Sequence, residues 1–287
     1  MRIGVIDVGS NSVRLAVMSD GKTLYKRLET TRLGAGLSFS DKLSDDAIER
    51  TAQAICNFKR AAIADGAEKV HVFATAAVRS ASNREKFLSR VTELCGLTVD
   101  VISGEKEAQL GLSGALGNSD GGIIDVGGAS TEVTVRQSGK IIYTKSVNVG
   151  TVRLHDLARR DRAKLESVIS EKLADYGDFS CAGYDMYTIG GTASRLASVK
   201  HGIKTYTPEI SDGTTLTLEE VENLAQKLLT MSVEEIRATT ICTNSADVVG
   251  GGCLLMYSVM KKFKIDKITV SERDNLEGYY MYREAVK

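Results

Sequence analysis

Apolar residues along this chain fall into short runs of strand length, separated by segments in which they recur at helical spacing. Residues 3 to 8, 12 to 18 and 23 to 29 predict three short consecutive strands. The stretch "LSDDAIERTAQAICNFKRAAIAD" then carries its apolar positions on one helical face, with Ser44 as N-cap and Leu43 and Ile48 as a hydrophobic staple. "KVHVFAT" predicts a strand, and "NREKFLSRVTELC" a helix with Phe87, Leu88, Val91 and Leu94 on one side. "LTVDVI" predicts a strand and "EKEAQLGLSGAL" a helix, so the first half reads βββαβαβα.

The pattern restarts at Gly122. Strands are expected near 122–126, 131–136 and 140–147, helices near 151–158 and 162–175, and a strand at "DMYTIGG". A helix from Thr192, a Thr217-capped helix "LEEVENLAQKLL", a helix through "ADVVGGGCLLMYSVMKKF", a strand "KITVS" and a helix "NLEGYYMYRE" complete the chain. The order of elements repeats, which predicts an α/β protein of two similar domains, residues 1–118 and 119–287.

The repeat extends to individual residues. "VIDVGSNSVRLAV" and "IIDVGGASTEVTV" share Ile6/Ile124, Asp7/Asp125, Val8/Val126, Gly9/Gly127, Ser12/Ser130 and Val17/Val135. Two such domains related by an approximate two-fold would turn their first hairpins toward a shared cleft, a favoured place for a ligand. Gly9, Gly127 and Gly128 let backbone N–H groups approach phosphate oxygens, and Ser10, Asn11, Ser12, Ser130 and Thr131 add donors. Acidic Asp7 and Asp125 at an anion site make sense with a cation such as Mg²⁺ between carboxylate and phosphate. The strand-to-helix turn at Gly190, Gly191 and Thr192 is a third place where N–H groups can take a phosphate.

Composition narrows the partners. The chain has 287 residues, 43% hydrophobic, with 37 basic and 37 acidic side chains, so no overall field draws it to nucleic acid or an anionic membrane. Five cysteines without a C-x-x-C pattern and three scattered histidines argue against a disulfide framework or a sequence-readable zinc site, and for the reducing cytoplasm. No apolar run approaches a membrane span, and the mature protein is expected to start at Met1.

In order along the chain, "VIDVGSNSVRL", "FATAAVR", "VISGEKEAQLGLSGA", "IIDVGGASTEVTV", "VNVGTVRL" and "YTIGGTASRLAS" closely resemble the motifs of the exopolyphosphatase and guanosine-pentaphosphate phosphohydrolase family, within the superfamily of actin, Hsp70 and sugar kinases. The resemblance implies two ribonuclease-H-like domains of the actin-like ATPase type, an active site in the interdomain cleft, Mg²⁺ or Mn²⁺ as cofactor and a cytoplasmic homodimer. It also implies removal of a terminal phosphoryl group from inorganic polyphosphate, with short chains expected here. Guanosine pentaphosphate hydrolysis, kinase or ATPase activity, and a catalytically weak nucleotide or polyphosphate sensor are the alternatives.

By the same resemblance Glu107 of "SGEKEA" is the catalytic base, with Lys106 standing where an acidic residue is usual. Gly111 and Gly114, at i+4 and i+7 from Glu107, predict a bare strip along which substrate or water could approach. Arg79 is implied as a phosphate ligand, and Glu132 as a catalytic residue that helps position metal or water. Ala129 stands where a third glycine is usual, so that turn position should accept a Cβ.

Overall fold

The computed structural model describes residues 1–285. Its first half runs β1 (Arg2–Val8), β2 (Ser12–Ser19), β3 (Lys22–Thr30), α1 (Asp45–Ala64), β4 (Lys69–Ala74), a short α2 (Ala76–Ser80), α3 (Arg84–Cys95), β5 (Val99–Val101) and α4 (Gly104–Leu116). The second half runs β6 (Gly121–Val126), β7 (Thr131–Gln137), β8 (Lys140–Val147), α5 (Thr151–Ala158), α6 (Arg162–Leu173), β9 (Met186–Ile189), α7 (Gly190–Lys200) and α8 (Pro208–Ser211). It ends with β10 (Thr215–Thr217), α9 (Leu218–Thr230), α10 (Val233–Thr239), α11 (Val249–Phe263), β11 (Lys267–Val270) and α12 (Asn275–Ala285).

The caps follow their chemistry. Ser44 accepts from the Ala47 N–H ahead of α1, and Leu43 and Ile48 are both buried beside it. Thr217 and Glu220 form a reciprocal capping box at α9, as do Ser232 and Glu235 at α10. The helix at 233–239 and the short strand at 215–217 go beyond the pattern read from the sequence. Three residues of strand and seven of helix are too short to show a period.

The two sheets share one plan. The first has the order β3-β2-β1-β4-β5, antiparallel through β1 to β3 and parallel beyond. The second has β8-β7-β6-β9-β11 in the same sense, with β10 added antiparallel at its edge. This is the ribonuclease-H-like topology twice over. Each hairpin turn closes alike, with Gly9 N–H donating to Ser12 O at 3.1 Å and Gly127 N–H to Ser130 O at 3.0 Å.

Alternation splits each central strand between two cores. Ile6 and Val8 point into a cluster with Leu15, Ile55 and Phe87, while Ile3 and Val5 point to the opposite face. That opposite face is covered by α12, whose Leu276, Tyr279 and Tyr280 pack on Ile3, Val5, Ala16, Met18 and Phe73. The corresponding face of the second sheet is covered by α4, with Leu112 against Ile123 and Ile189. A line drawn at 118/119 separates the sheets, but a helix crosses it in each direction, and α4 and α12 pack against each other between them.

That crossing accounts for the glycines of α4, and it overturns the expected bare strip. A Cβ on Gly114 would lie 1.8 Å from the Asp274 carbonyl oxygen, and one on Gly278 would lie 1.9 Å from the Leu110 carbonyl oxygen. Gly111 is closed off by Asn275, Ile189 and Ile123. The strip is filled by Asp274 and the start of α12 together with Ile123 and Ile189, so neither water nor substrate approaches along it.

Candidate functional site

The two hairpin turns meet across a cleft of about 100 Å³. A Cβ on Gly128 would lie 2.8 Å from the Cβ of Ser10, so the turns oppose each other at a spacing that bare backbone permits. Asp7, Gly9, Ser10, Asn11 and Ser12 line one wall; Asp125, Gly127, Gly128, Ala129 and Ser130 line the other. Gly190, Gly191 and Thr192 close one end, and Glu107 reaches in from the first turn of α4.

The segment after each meander holds its turn from behind. Thr31 and Arg32 donate N–H to Asn11 O and Gly34 to Ser10 O, while Thr151 donates to Gly127 O and Val152 and Arg153 to Gly128 O. These bonds occupy turn carbonyls. Two of the hydroxyls expected at phosphate are already engaged, since Thr131 donates to Val149 O at 2.6 Å and Ser130 to Glu132 Oε1 at 2.7 Å, and the Thr192 hydroxyl donates to Val126 O at 2.7 Å. Ala129 is buried and its Cβ is accommodated.

Four buried carboxyl groups gather at this cleft. Burial raises Glu107 to a pKa of about 7 against the pull of the Arg79 guanidinium, with Asp7 pushing it up further. Burial also raises Asp125 to about 8, opposed by Arg14 and reinforced by Glu107 and Asp274. Asp7 is held above its ordinary value by burial although Arg14 sits against it. Glu132 is pushed well up by burial and by Glu107 and Asp125.

Arg79 and Glu132 occupy places the motifs did not announce. Arg79 does not line the cleft; its Nη1 donates to Glu107 Oε2 at 2.9 Å and to the Ile102 carbonyl at 3.0 Å. Glu132 is 1% exposed and sits behind the cleft wall, its Oε1 accepting from the hydroxyls of Ser130 and Ser146. Lys106 leaves the site altogether, its Nζ 3.3 Å from the centroid of the Tyr282 ring on α12.

Sequence reasoning missed Arg14, Thr75, Arg195 and the pair Asp274 and Asn275. Arg14 pairs in register with Asp7 across the first hairpin, with Nη2 2.5 Å from Asp7 Oδ2 and Nη1 2.5 Å from Asp274 Oδ2. Period-two alternation from Ser12 was a usable signal for it. Arg195 lies one helical turn past Thr192 on α7, inside a motif quoted above. Asn275, at the start of α12, donates Nδ2 to Asp125 Oδ2 at 3.2 Å across 150 residues, and no local pattern marks such a contact.

A divalent ion suits what remains. Asp7 Oδ1 is buried and has no hydrogen-bond partner among the described residues, and it faces the same cleft as Asp125. Among the described residues no group of three or more His, Cys, Asp or Glu side chains could hold a metal. Mg²⁺ is ordinarily held by one or two carboxylates together with waters and substrate phosphates, which this donor set matches. A cation there would also relieve the crowding of Asp7, Asp125 and Glu107.

Comparison with known proteins gives the following. The model of the Ppx/GppA phosphatase family matches residues 13–284. Exopolyphosphatase 2 of Mycobacterium tuberculosis is 26% identical over 309 residues, covering 96% of this chain and 97% of that protein. The bifunctional 3-dehydroquinate synthase/phosphatase of Fusobacterium nucleatum is 28% identical over 301 residues; the match covers 95% of this chain but spans only 45% of that longer protein. The crystal structure of an exopolyphosphatase from Cytophaga hutchinsonii superposes with a TM-score of 0.84 at 25% identity, over 100% of this chain and 99% of that one.

Proposed function

The chain belongs to the Ppx/GppA phosphatase family, and from that premise we propose that it is an Mg²⁺-dependent exopolyphosphatase that removes terminal phosphate from short inorganic polyphosphates. The observation that carries this reading is the placement of Glu107, with its pKa near 7, beside two opposed glycine turns and two buried aspartates in one cleft. A base with that pKa is half deprotonated at neutral pH, where proton transfer from water is most effective.

In this reading the terminal phosphoryl group lies between the turns around Gly9 and Gly127. Glu107 takes a proton from water as the water oxygen attacks phosphorus, and the bridging P–O bond breaks with its electron pair leaving on the shortened chain. Arg79 holds the Glu107 carboxylate in place and offsets part of its burial. Arg14 fixes Asp7, Asn275 fixes Asp125, and Glu132 anchors Ser130 and Ser146 behind the wall. Asp7 and Asp125 would hold Mg²⁺, which when bound neutralises phosphate charge and favours transfer.

The reading includes residence in the cytoplasm, supported by five cysteines that are all free thiols. No described helix is long and apolar enough to cross a membrane. Assembly as a homodimer rests on the family resemblance and is read by light scattering. Phosphate release from tripolyphosphate, long polyphosphate, guanosine pentaphosphate and ATP, measured in parallel, tests the function. Release from polyphosphate ahead of the others is expected, whereas a preference for guanosine pentaphosphate or ATP would replace this substrate with that one.

A further inference from the structure

A second cavity of about 250 Å³ adjoins the cleft, and the two share Arg14, Leu28, Gly190, Gly191, Arg195 and Ser245 in their linings. The second cavity carries four basic side chains, Arg14, Lys26, Arg27 and Arg195, against two acidic ones, Glu272 and Asp274. Most of that positive charge is already committed. Arg14 is held by Asp7 and Asp274, Lys26 by Glu277 and the Glu272 carbonyl, and Arg27 lies 3.6 Å from Asp65.

Arg195 is different. Among the described residues no carboxylate or carbonyl oxygen accepts a hydrogen bond from its guanidinium, although it is half-buried at the wall between the cavities. Its Nη1 lies 2.7 Å from where a Cβ on Gly191 would stand, so the bare turn makes room for it. Burial pulls its pKa down and Arg14 adds repulsion, yet an arginine keeps its charge. A half-buried cation with no carboxylate beside it is partly desolvated without compensation, and an anionic ligand would offset that cost.

We propose, building on the exopolyphosphatase reading, that Arg195 receives the phosphoryl groups on the leaving side of the scissile bond and that the polyphosphate chain runs from the cleft past Arg195 into the second cavity. Arg195 stands one turn along α7 from Gly191, about 5.4 Å further from the reacting end. A forked guanidinium matches two phosphate oxygens there. As the P–O bond breaks, the electron pair and its charge arrive on the leaving phosphate, so the contact strengthens in the transition state. The acidic groups of the cavity do not oppose this. Asp274 is paired with two cations, and burial holds Glu272 toward its neutral form while it accepts from the Tyr206 hydroxyl.

The test compares Arg195→Met and Arg195→Lys with wild type on tripolyphosphate in Mg²⁺. Steady-state kinetics, tripolyphosphate affinity by calorimetry in a Glu107→Gln background, and thermal melting are measured on each. Arg195→Met is expected to lose roughly 10²-fold in kcat/KM and to bind tripolyphosphate at least roughly tenfold more weakly, with a melting temperature no lower than wild type. Arg195→Lys is expected to recover part of the binding through charge alone. A methionine variant within about twofold of wild type in kcat/KM and affinity, or one that melts well below it, overturns the proposal. Wild-type cleavage with an indifferent Arg195→Met removes this inference alone. A wild type that neither cleaves nor binds tripolyphosphate removes the exopolyphosphatase reading and this inference together.

Discussion

Arg79 Nη1 lies 2.9 Å from Glu107 Oε2, and this contact joins the short helix α2 of the first domain to the first turn of α4, the helix that covers the second sheet. Arginine at this site pulls the glutamate down while burial pushes it up to about 7. Glu107→Gln should therefore lower kcat by roughly 10²-fold or more while tripolyphosphate still binds. Arg79→Met should move the acid limb of the pH–rate profile to higher pH, because the group that favours the charged carboxylate is gone. An unmoved limb would show that Glu107 is not the titrating base.

Stability should depend on pH with a definite sign. Glu107, at about 7, and Asp125, at about 8, are both held above ordinary carboxylate values, and Asp7 is raised too. The folded state therefore favours their protonated forms. That stability is fully present below their unfolded values near 4 and is lost as pH rises through the folded ones. Asp274, held low mainly by Arg14 against its burial, acts oppositely but only in acid. In chelator the melting temperature should fall between about pH 5.5 and about pH 8.5, and Mg²⁺ should flatten the decline. A melting temperature that rises over this interval would contradict the placement of these carboxyls.

Activity should vanish in EDTA and return with Mg²⁺ or Mn²⁺ but not with Zn²⁺ alone, since the available donors are oxygens. Mg²⁺ should also raise the melting temperature without substrate, and Asp125→Asn should abolish that rise. Full activity in chelator would remove the metal from the mechanism.

Gly114→Ala should destabilise the protein by about 1–3 kcal/mol or more, because its Cβ meets the carbonyl oxygen of Asp274, the residue just ahead of α12, and no flexible side chain can yield. Displacement of α12 should weaken the Asn275 contact to Asp125 as well, so kcat falls with stability. Wild-type melting of this variant would mean that the strip is open after all.

Cleavage of long polyphosphate should be distributive. Cavities of about 100 and 250 Å³ cover only a few phosphates near the reacting end. A partly digested sample should then shift downward as one population on a gel, whereas full-length chains persisting beside free phosphate would reveal a processive grip.

Local pattern made much of this legible. The twin acidic hairpins announce themselves because the turn, the aspartate and most of the two flanking strands lie within thirteen residues, and Ser44 and Thr217 cap the helices their sequences predict. What did not show depends on pairings between distant segments. Gly111 and Gly114 look like an open strip until α12 arrives from more than a hundred residues away, and no local pattern shows that Arg79 pairs with Glu107, 28 residues further on. The repeat hides its own asymmetry. Arg14 faces Asp7 across the first hairpin, while Glu132 occupies the equivalent place opposite Asp125, so one aspartate meets a cation and its twin meets an acid.

The exchange of helices between the halves has a consequence for biosynthesis. Ile3, Val5, Ala16, Met18 and Phe73 of the first sheet are all at most 1% exposed, and what shields them is α12, made last of the described elements. During translation the first domain must wait with that greasy face uncovered until residues 275–285 leave the ribosome, so it cannot complete its core as an independent unit. Contacts spanning nearly the whole chain slow folding and lengthen that exposure. A nascent chain stalled before Asn275 is therefore the natural client of a chaperone, and truncation there should yield aggregates instead of a soluble N-terminal domain.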